Sequence, residues 1–247
     1  MNTTINNKGL IIGLVALGIA LIASVSVGAY SFFRVKSLSN VISVTGSAEK
    51  QITSDTVKWT SGFSRNVGLD GVKDGYAVMN KDLSATLDYL KSQGITESEI
   101  TVKPVMMDSN YEQTEKFGSK MSGYILRQII EVQSNNVTAV TKLAQDAPVK
   151  LSESGILYST QNLEYFYSKF GDLKVEMLAE ATKNAKARAE KIAESTGSKI
   201  GFMQSASMGV FQVTPTNSVD VSDYGYFDTS SINKKVTSVV RASFSLK

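Results

Sequence analysis

The chain has 247 residues, 42% hydrophobic and 20% charged, enough to bury a sizeable core and too apolar for a disordered chain. Its formal net charge is +3, with Lys and Arg dispersed among Asp and Glu rather than gathered in a basic stripe, so no nucleic-acid partner is expected. It contains no Cys and no His, which removes disulfides, thiolate nucleophiles, imidazole bases, Ser-His triads and most zinc chemistry.

The first element is apolar. Gly9 to Phe33 carries no charge, and Leu10 to Ala23 is almost wholly aliphatic. About 25 residues at about 1.5 Å rise give about 37 Å, more than the ~30 Å hydrocarbon layer of a bilayer. Tyr30, Phe32 and Phe33 stand where an interfacial aromatic belt belongs, followed by Arg34 and Lys36. Three readings compete: an uncleaved signal-anchor helix, a signal peptide cut after Ala29, and a buried core helix. Val27 and Ala29 suit the cut, but signal-peptide apolar regions usually run ~7–15 residues, so length favours the anchor. Lys8 on one side and Arg34, Lys36 and Lys50 on the other leave the orientation open. Residues 1–36 are therefore expected to anchor a folded domain spanning 37–247.

That domain opens with strand signals at Val41–Ala48 and Thr56–Val67. In the second, Val57, Trp59, Phe63 and Val67 share one face, broken only by Ser61 and Arg65. A helix follows over Asp70–Gln93, with Tyr76, Met79, Leu83, Leu87 and Leu90 on one side and Gly94 as its stop. A strand is expected at Ile100–Met107, a polar hairpin loop at Asp108–Lys120, and a strand at Gly123–Gln133 with Tyr124, Leu126, Ile130 and Val132 inward. A helix over Asn136–Ala147 should end at Pro148. A strand near Ile156–Tyr167 leads to a helix over Asp172–Thr196, lined by Leu178, Ala181, Ala185, Ala189 and Ile192, whose alanines permit close approach to a sheet. The strand Ile200–Val213, a long mobile polar loop near 214–235 and the strand Val236–Leu246 complete the chain. The order β-β-α-β-β-α, then β-α-β-β, predicts an α+β domain with antiparallel or mixed sheets and helices packed on one face.

No Gly-rich phosphate loop and no G-x-S-x-G turn occurs. The carboxylate pairs Glu97/Glu99 and Asp70/Asp74 read as ordinary turn and helix-start charges. Asp220, Asp223 and Asp228 could ligate Ca²⁺ through oxygen, but their spacing fits no EF-hand. Lys183, Lys186, Arg188 and Lys191 interleave with Glu180, Glu190 and Glu194, as on a solvated helix face. Tyr165, Phe166, Tyr167 and Phe170 form one aromatic cluster, expected in the core or at a sheet edge. Tyr224, Tyr226 and Phe227 form another, expected to pack locally or against a second subunit. No catalytic, cofactor-binding or metal-binding residue is assigned.

Four stretches carry a resemblance: Ile42–Glu49, with its V-x-G-x entry; Leu90–Ile100, with an L-x-x-x-G-I-x-x-x-D-I pattern in which Glu99 replaces Asp; Gly123-Tyr124 opening an alternating strand; and Ala193–Gly201, with an A-x-x-x-G-x-x-L-G turn in which Ile200 replaces Leu. In order and spacing the chain resembles the SIMPL-domain family of bacterial exported proteins, which includes periplasmic immunogenic and stress-associated members. Thr214–Lys235 shows no family pattern. The resemblance implies a body outside the cytoplasm, single-pass in the inner membrane with a cleaved periplasmic form as the alternative. It also implies a homo-oligomer and an envelope or oxidative-stress role, and transfers no catalytic residue. The expected function is a non-enzymatic structural or binding domain; a small-ligand or lipid-binding module and a carboxylate or Ser/Lys hydrolase are the alternatives.

Overall fold

The computed structural model describes residues 7–37, 40–113, 118–218 and 222–247. Helix α1 (Asn7–Ser37) contains the stretch Gly9–Arg34, which is long and apolar enough to cross a membrane and buries none of its length. The rest is α+β and divides into two compact units. One comprises residues up to Ala48 with Leu178–Gly209 and Ser238–Lys247; the other comprises Glu49–Met177 and Val210–Thr237.

The larger unit is built on an antiparallel sheet of β2 (Thr56–Val67), β3 (Ile100–Val102), β4 (Met106–Gln113), β5 (Ser119–Ser134) and β6 (Tyr158–Phe166). The order is β3-β5-β2-β6, with β4 also paired to β5. β2 and β5 run in continuous register from Val57↔Ser134 to Val67↔Tyr124. Their inward residues Val57, Trp59, Phe63, Leu126, Ile130 and Val132 pack with Met79 and Leu90 of α2 (Val72–Ser92) and Val140, Leu143 and Ala147 of α3 (Val137–Glu153). The two polar breaks in the β2 pattern are both satisfied. Ser61 Oγ donates to the Ile130 carbonyl and lies 2.5 Å from Tyr158 Oη, and Arg65 forms a forked pair with Asp82 at 2.6 and 3.0 Å.

Asp82 also explains why α2 is rotated from its predicted face. Its buried residues are Gly75, Met79, Asp82, Thr86 and Leu90, while Tyr76 is exposed and Leu83 and Leu87 are half-buried. Asp82 and Thr86 look solvent-facing in the sequence, but Arg65 and the Asp82 carbonyl give them partners inside. Gly94 ends the helix as expected, at φ +88°.

Four further boundaries differ from the sequence reading. The strand expected at Ile100–Met107 is two strands, parted around Pro104, which has no N–H to give to the ladder. The loop expected at Asp108–Lys120 is largely a hairpin, because β4 and β5 pair out to Gln113↔Ser119; residues 114–117 lie outside the described set. Helix α3 runs through Pro148 to Glu153 rather than stopping there. The Ala144 carbonyl, four residues back and robbed of its usual donor, accepts from Thr160 Oγ1 at 2.7 Å. The strand expected over Ile200–Val213 is β7 (Ile200–Met208) and β8 (Gln212–Pro215), parted at Gly209–Phe211.

A second sheet has the order β1-β10-β8-β9, with β7 also on β10; its strands are β1 (Val41–Thr53), β7, β8, β9 (Tyr226–Phe227) and β10 (Asn233–Leu246). β8 and β9 are parallel, while β10 runs antiparallel to β7 and to β8. In the smaller unit Val44, Ala242 and Phe244 pack on Ala185 and Ala189 of α4 (Phe170–Ser195). The buried line of α4 is Leu173, Met177, Ala181, Ala185, Ala189 and Ala193; the expected Leu178 is only half-buried and Ile192 is exposed. The alanines do what their size permits. Gly46 of β1 lies so close to the Ala181 carbonyl and the Ala185 amide that a Cβ there would overlap the helix backbone.

Candidate functional site

The segment read as one polar loop near 214–235 is instead structured at both ends, and the larger unit opens a cleft beside it. β8 reaches Pro215, β9 lies at Tyr226–Phe227, and β10 begins at Asn233. The cleft encloses about 890 Å³. Its walls are the end of β1 (Gln51, Ile52, Thr53), the end of β8 (Pro215, Thr216, Asn217) and the run Ser230–Asn233, with Tyr165 on β6. None of these side chains is charged; amides and hydroxyls alternate with Ile52, Ile232 and Pro215. Thr53 Oγ1 donates to Asn233 Oδ1 at 3.0 Å across the β1–β10 pair. Thr216 Oγ1 is buried and has no hydrogen-bond partner among the described residues.

Directly behind Ser230 and Ser231 lies an ion pair whose two side chains are each 2% exposed. Lys234 Nζ is 3.2 Å from Asp228 Oδ2 and 2.6 Å from the Asp228 carbonyl oxygen. Asp228 also accepts from the amide and hydroxyl of Ser230 at 2.9 and 2.7 Å and from the amide and hydroxyl of Ser231. Burial pushes the Asp228 carboxyl up, but the hydroxyls of Ser231 and Ser230, the Ser230 amide and Lys234 outweigh it and hold it well below the carboxylate range. Burial lowers the Lys234 ammonium, with Asp228 offsetting part of the effect. With both carboxylate oxygens engaged by Ser230, Ser231 and Lys234, the cluster pins the Ser230–Asn233 wall.

The other sequence candidates are dispersed. Asp223 is exposed while Asp228 turns inward, and Asp220 lies outside the described residues; among the described residues no three carboxylates gather. Glu99 closes a capping box on Thr96, and the Ser134 hydroxyl and Thr96 amide hold its carboxyl low. Glu97 pairs with Lys91 at 3.5 Å, and Asp70 and Asp74 are exposed about the start of α2. On α4, Lys186 pairs with Glu190 and Lys191 with Glu194, while Arg188 donates to the Thr45 carbonyl at 3.0 Å. Tyr165 is buried, as the first aromatic cluster led one to expect. Phe227 stacks edge-on against Phe170 at 5.4 Å, whereas Tyr224 is 97% exposed.

The chain matches, over residues 42–244, the family model described as SIMPL, protein of unknown function (DUF541). The chain belongs to the SIMPL family. The match reaches into both units and takes in every strand but the first residue of β1 and the last two of β10, and leaves α1 outside it. No curated protein matches the chain. The family's description names no reaction and so assigns no residue of the cleft a role. The sequence missed the cleft because its walls come from separated segments, none with a motif. The short polar run Asp228 to Ser231 was its only local trace.

Proposed function

We propose that this SIMPL protein is a membrane-anchored, extracytoplasmic, non-enzymatic binding and assembly module. The observation that carries the reading is α1: its charge-free stretch is long enough to span a bilayer, none of it is buried by the described residues, and it closes on aromatic residues with basic residues after it. An inner-membrane, single-pass location with the domain in the periplasm accords with the family resemblance, as does a role in envelope maintenance or oxidative-stress tolerance. Self-assembly draws support from β7, whose outer edge pairs with no strand among the described residues and which carries no charged residue and no proline.

The test is fractionation of tagged protein with alkaline carbonate extraction, N-terminal sequencing and protease treatment of spheroplasts. The reading requires an uncut chain in the membrane pellet with its domain digested from outside. A mature chain beginning at Tyr30 in the soluble fraction, or a domain shielded from protease, sinks it.

The cleft favours a second reading, a module for a small neutral ligand. Its volume lies within the range of ligand pockets, its walls offer donors and acceptors without charge, and the Thr216 hydroxyl has no partner among the described residues. Native mass spectrometry of the full chain released from detergent would show a copurifying mass if this holds; a clean ligand-free mass counts against it.

A further inference from the structure

The charge of this protein is unevenly placed. Residues 40–48, 199–209 and 238–247, which contain the paired strands of the smaller unit, include Lys199, Arg241 and Lys247 and no Asp or Glu. Their +3 equals the net charge of the whole chain, leaving 23 basic against 23 acidic residues elsewhere. Two of the three cations stand together. Lys199 N donates to the Lys247 carbonyl at 3.1 Å and Lys247 N to the Lys199 carbonyl at 2.8 Å, while Leu246 N donates to the Asn40 carbonyl at 2.9 Å. The start of β1, the end of β10 and the start of β7 therefore form one end of the sheet. Lys199 and Lys247 are exposed there, and just inside them Phe202 is 66% and Met203 49% exposed. The acidic residue nearest Lys199 along the chain, Glu194, is held by Lys191 at 2.9 Å.

This is the end at which the chain arrives from α1. Ser37 to Asn40 is three residues, which reach at most about 11 Å, and Arg34 to Ser37 adds about 5 Å of helix. The sheet end is thus tethered within about 16 Å of the point where the apolar span stops. The headgroup layer is about 6 Å deep on each side, and the Debye length is about 8 Å at physiological salt. A basic sheet end flanked by exposed Phe and Met therefore lies at most about 10 Å beyond the headgroup layer, little more than one Debye length, for as long as the chain is uncut.

We propose that this sheet end docks on the anionic headgroups of the bilayer that α1 crosses, with Lys199 and Lys247 contacting phosphate and Phe202 entering the interface. The proposal rests on α1 being retained as an anchor. Docking would fix the orientation of this sheet end at the membrane surface.

The full chain is reconstituted in nanodiscs of phosphatidylcholine alone or with about a third phosphatidylglycerol, a range in which surface potential acts on juxtamembrane lysines. Amine-acetylation rates are read lysine by lysine by mass spectrometry, with Lys142 on α3 as internal control. Lys199 and Lys247 should label about fivefold more slowly in the anionic discs, the factor equivalent to about 1 kcal/mol per lysine, and salt at 0.5 M (about a 4 Å Debye length) should abolish the difference. Phe202→Ser should weaken the protection without changing Lys142. An uncut chain with equal labelling in both discs overturns docking and leaves the anchor standing. N-terminal sequencing that begins at Tyr30, with the protein absent from the discs, overturns both.

Discussion

Asp228 is a buried carboxylate whose oxygens are engaged by Ser230, Ser231 and Lys234. Lys234 is sealed beside it, and removing the carboxylate would strand a buried ammonium. Asp228→Asn should therefore cost about 3 kcal/mol or more in urea unfolding, whereas Asp228→Asn with Lys234→Met should recover much of the loss. If the single and double variants unfold alike, the pair is not what pins the wall. The pH dependence has a definite sign. The folded carboxyl is held below its ordinary value, so its stabilisation is fully present above about pH 4 and is lost as pH falls through the acid range. Asp55 acts in the same direction: burial raises its carboxyl, but the Ser168 hydroxyl and amide more than offset this. Wild-type stability should fall steeply between about pH 4 and pH 2, and Asp228→Asn should flatten that slope. In the sequence Asp228 was legible only as one of three loop carboxylates. Its role depends on Lys234 turning inward at the first inward position of β10, which alternation places correctly but charge argues against.

At the scale of elements, local patterning found the strands and helices, and errors fell where a tertiary partner overrode a local rule. Pro148 should stop α3, yet Thr160 on β6 takes over the orphaned carbonyl and the helix continues. Thr160 Oγ1 also accepts from Trp59 Nε1 at 3.1 Å, so one hydroxyl serves a helix and the core tryptophan. Thr160→Val should leave both groups unpaired and destabilise the domain by about 2 kcal/mol, seen as a lowered melting temperature. A neutral outcome would mean that Pro148 is tolerated without that bond. The alanine line on α4 was legible in kind, since small residues announce close approach. Its phase differs from the sequence pattern by one position at either end, because Leu178 and Ile192 suggest a core that Met177 and Ala193 occupy. Gly46 gives the complementary test. Gly46→Val must push β1 from the helix and should cost about 1–3 kcal/mol, while Gly28→Val on the exposed face of α1 should cost the soluble domain nothing.

For the whole molecule, the open edge of β7 is the feature whose consequence is largest. Natural sheets guard such edges with charge, proline, bulges or a covering element. β8, which follows β7 along the same side of β10, is covered by β9, but β7 is left with its outer edge unpaired among the described residues, and its run Ile200–Met208 has neither charge nor proline. Lys199 stands at the mouth of the strand, leaving Ser205–Met208 as the unguarded part. A second copy pairing there would satisfy the backbone and cover Met208, which gives the proposed assembly a definite interface. Ser207→Lys places a charge on an exposed position of that edge, opposite Arg241 on β10. Light scattering of the full chain in detergent should report a multimer for the wild type and a shift toward monomer for Ser207→Lys, with only a slight fall in melting temperature from repulsion by Arg241. A wild type that is monomeric at every concentration removes self-assembly from the proposed function. A multimer indifferent to Ser207→Lys moves the interface off β7, and the exposed Tyr224 on the larger unit becomes the next surface to substitute.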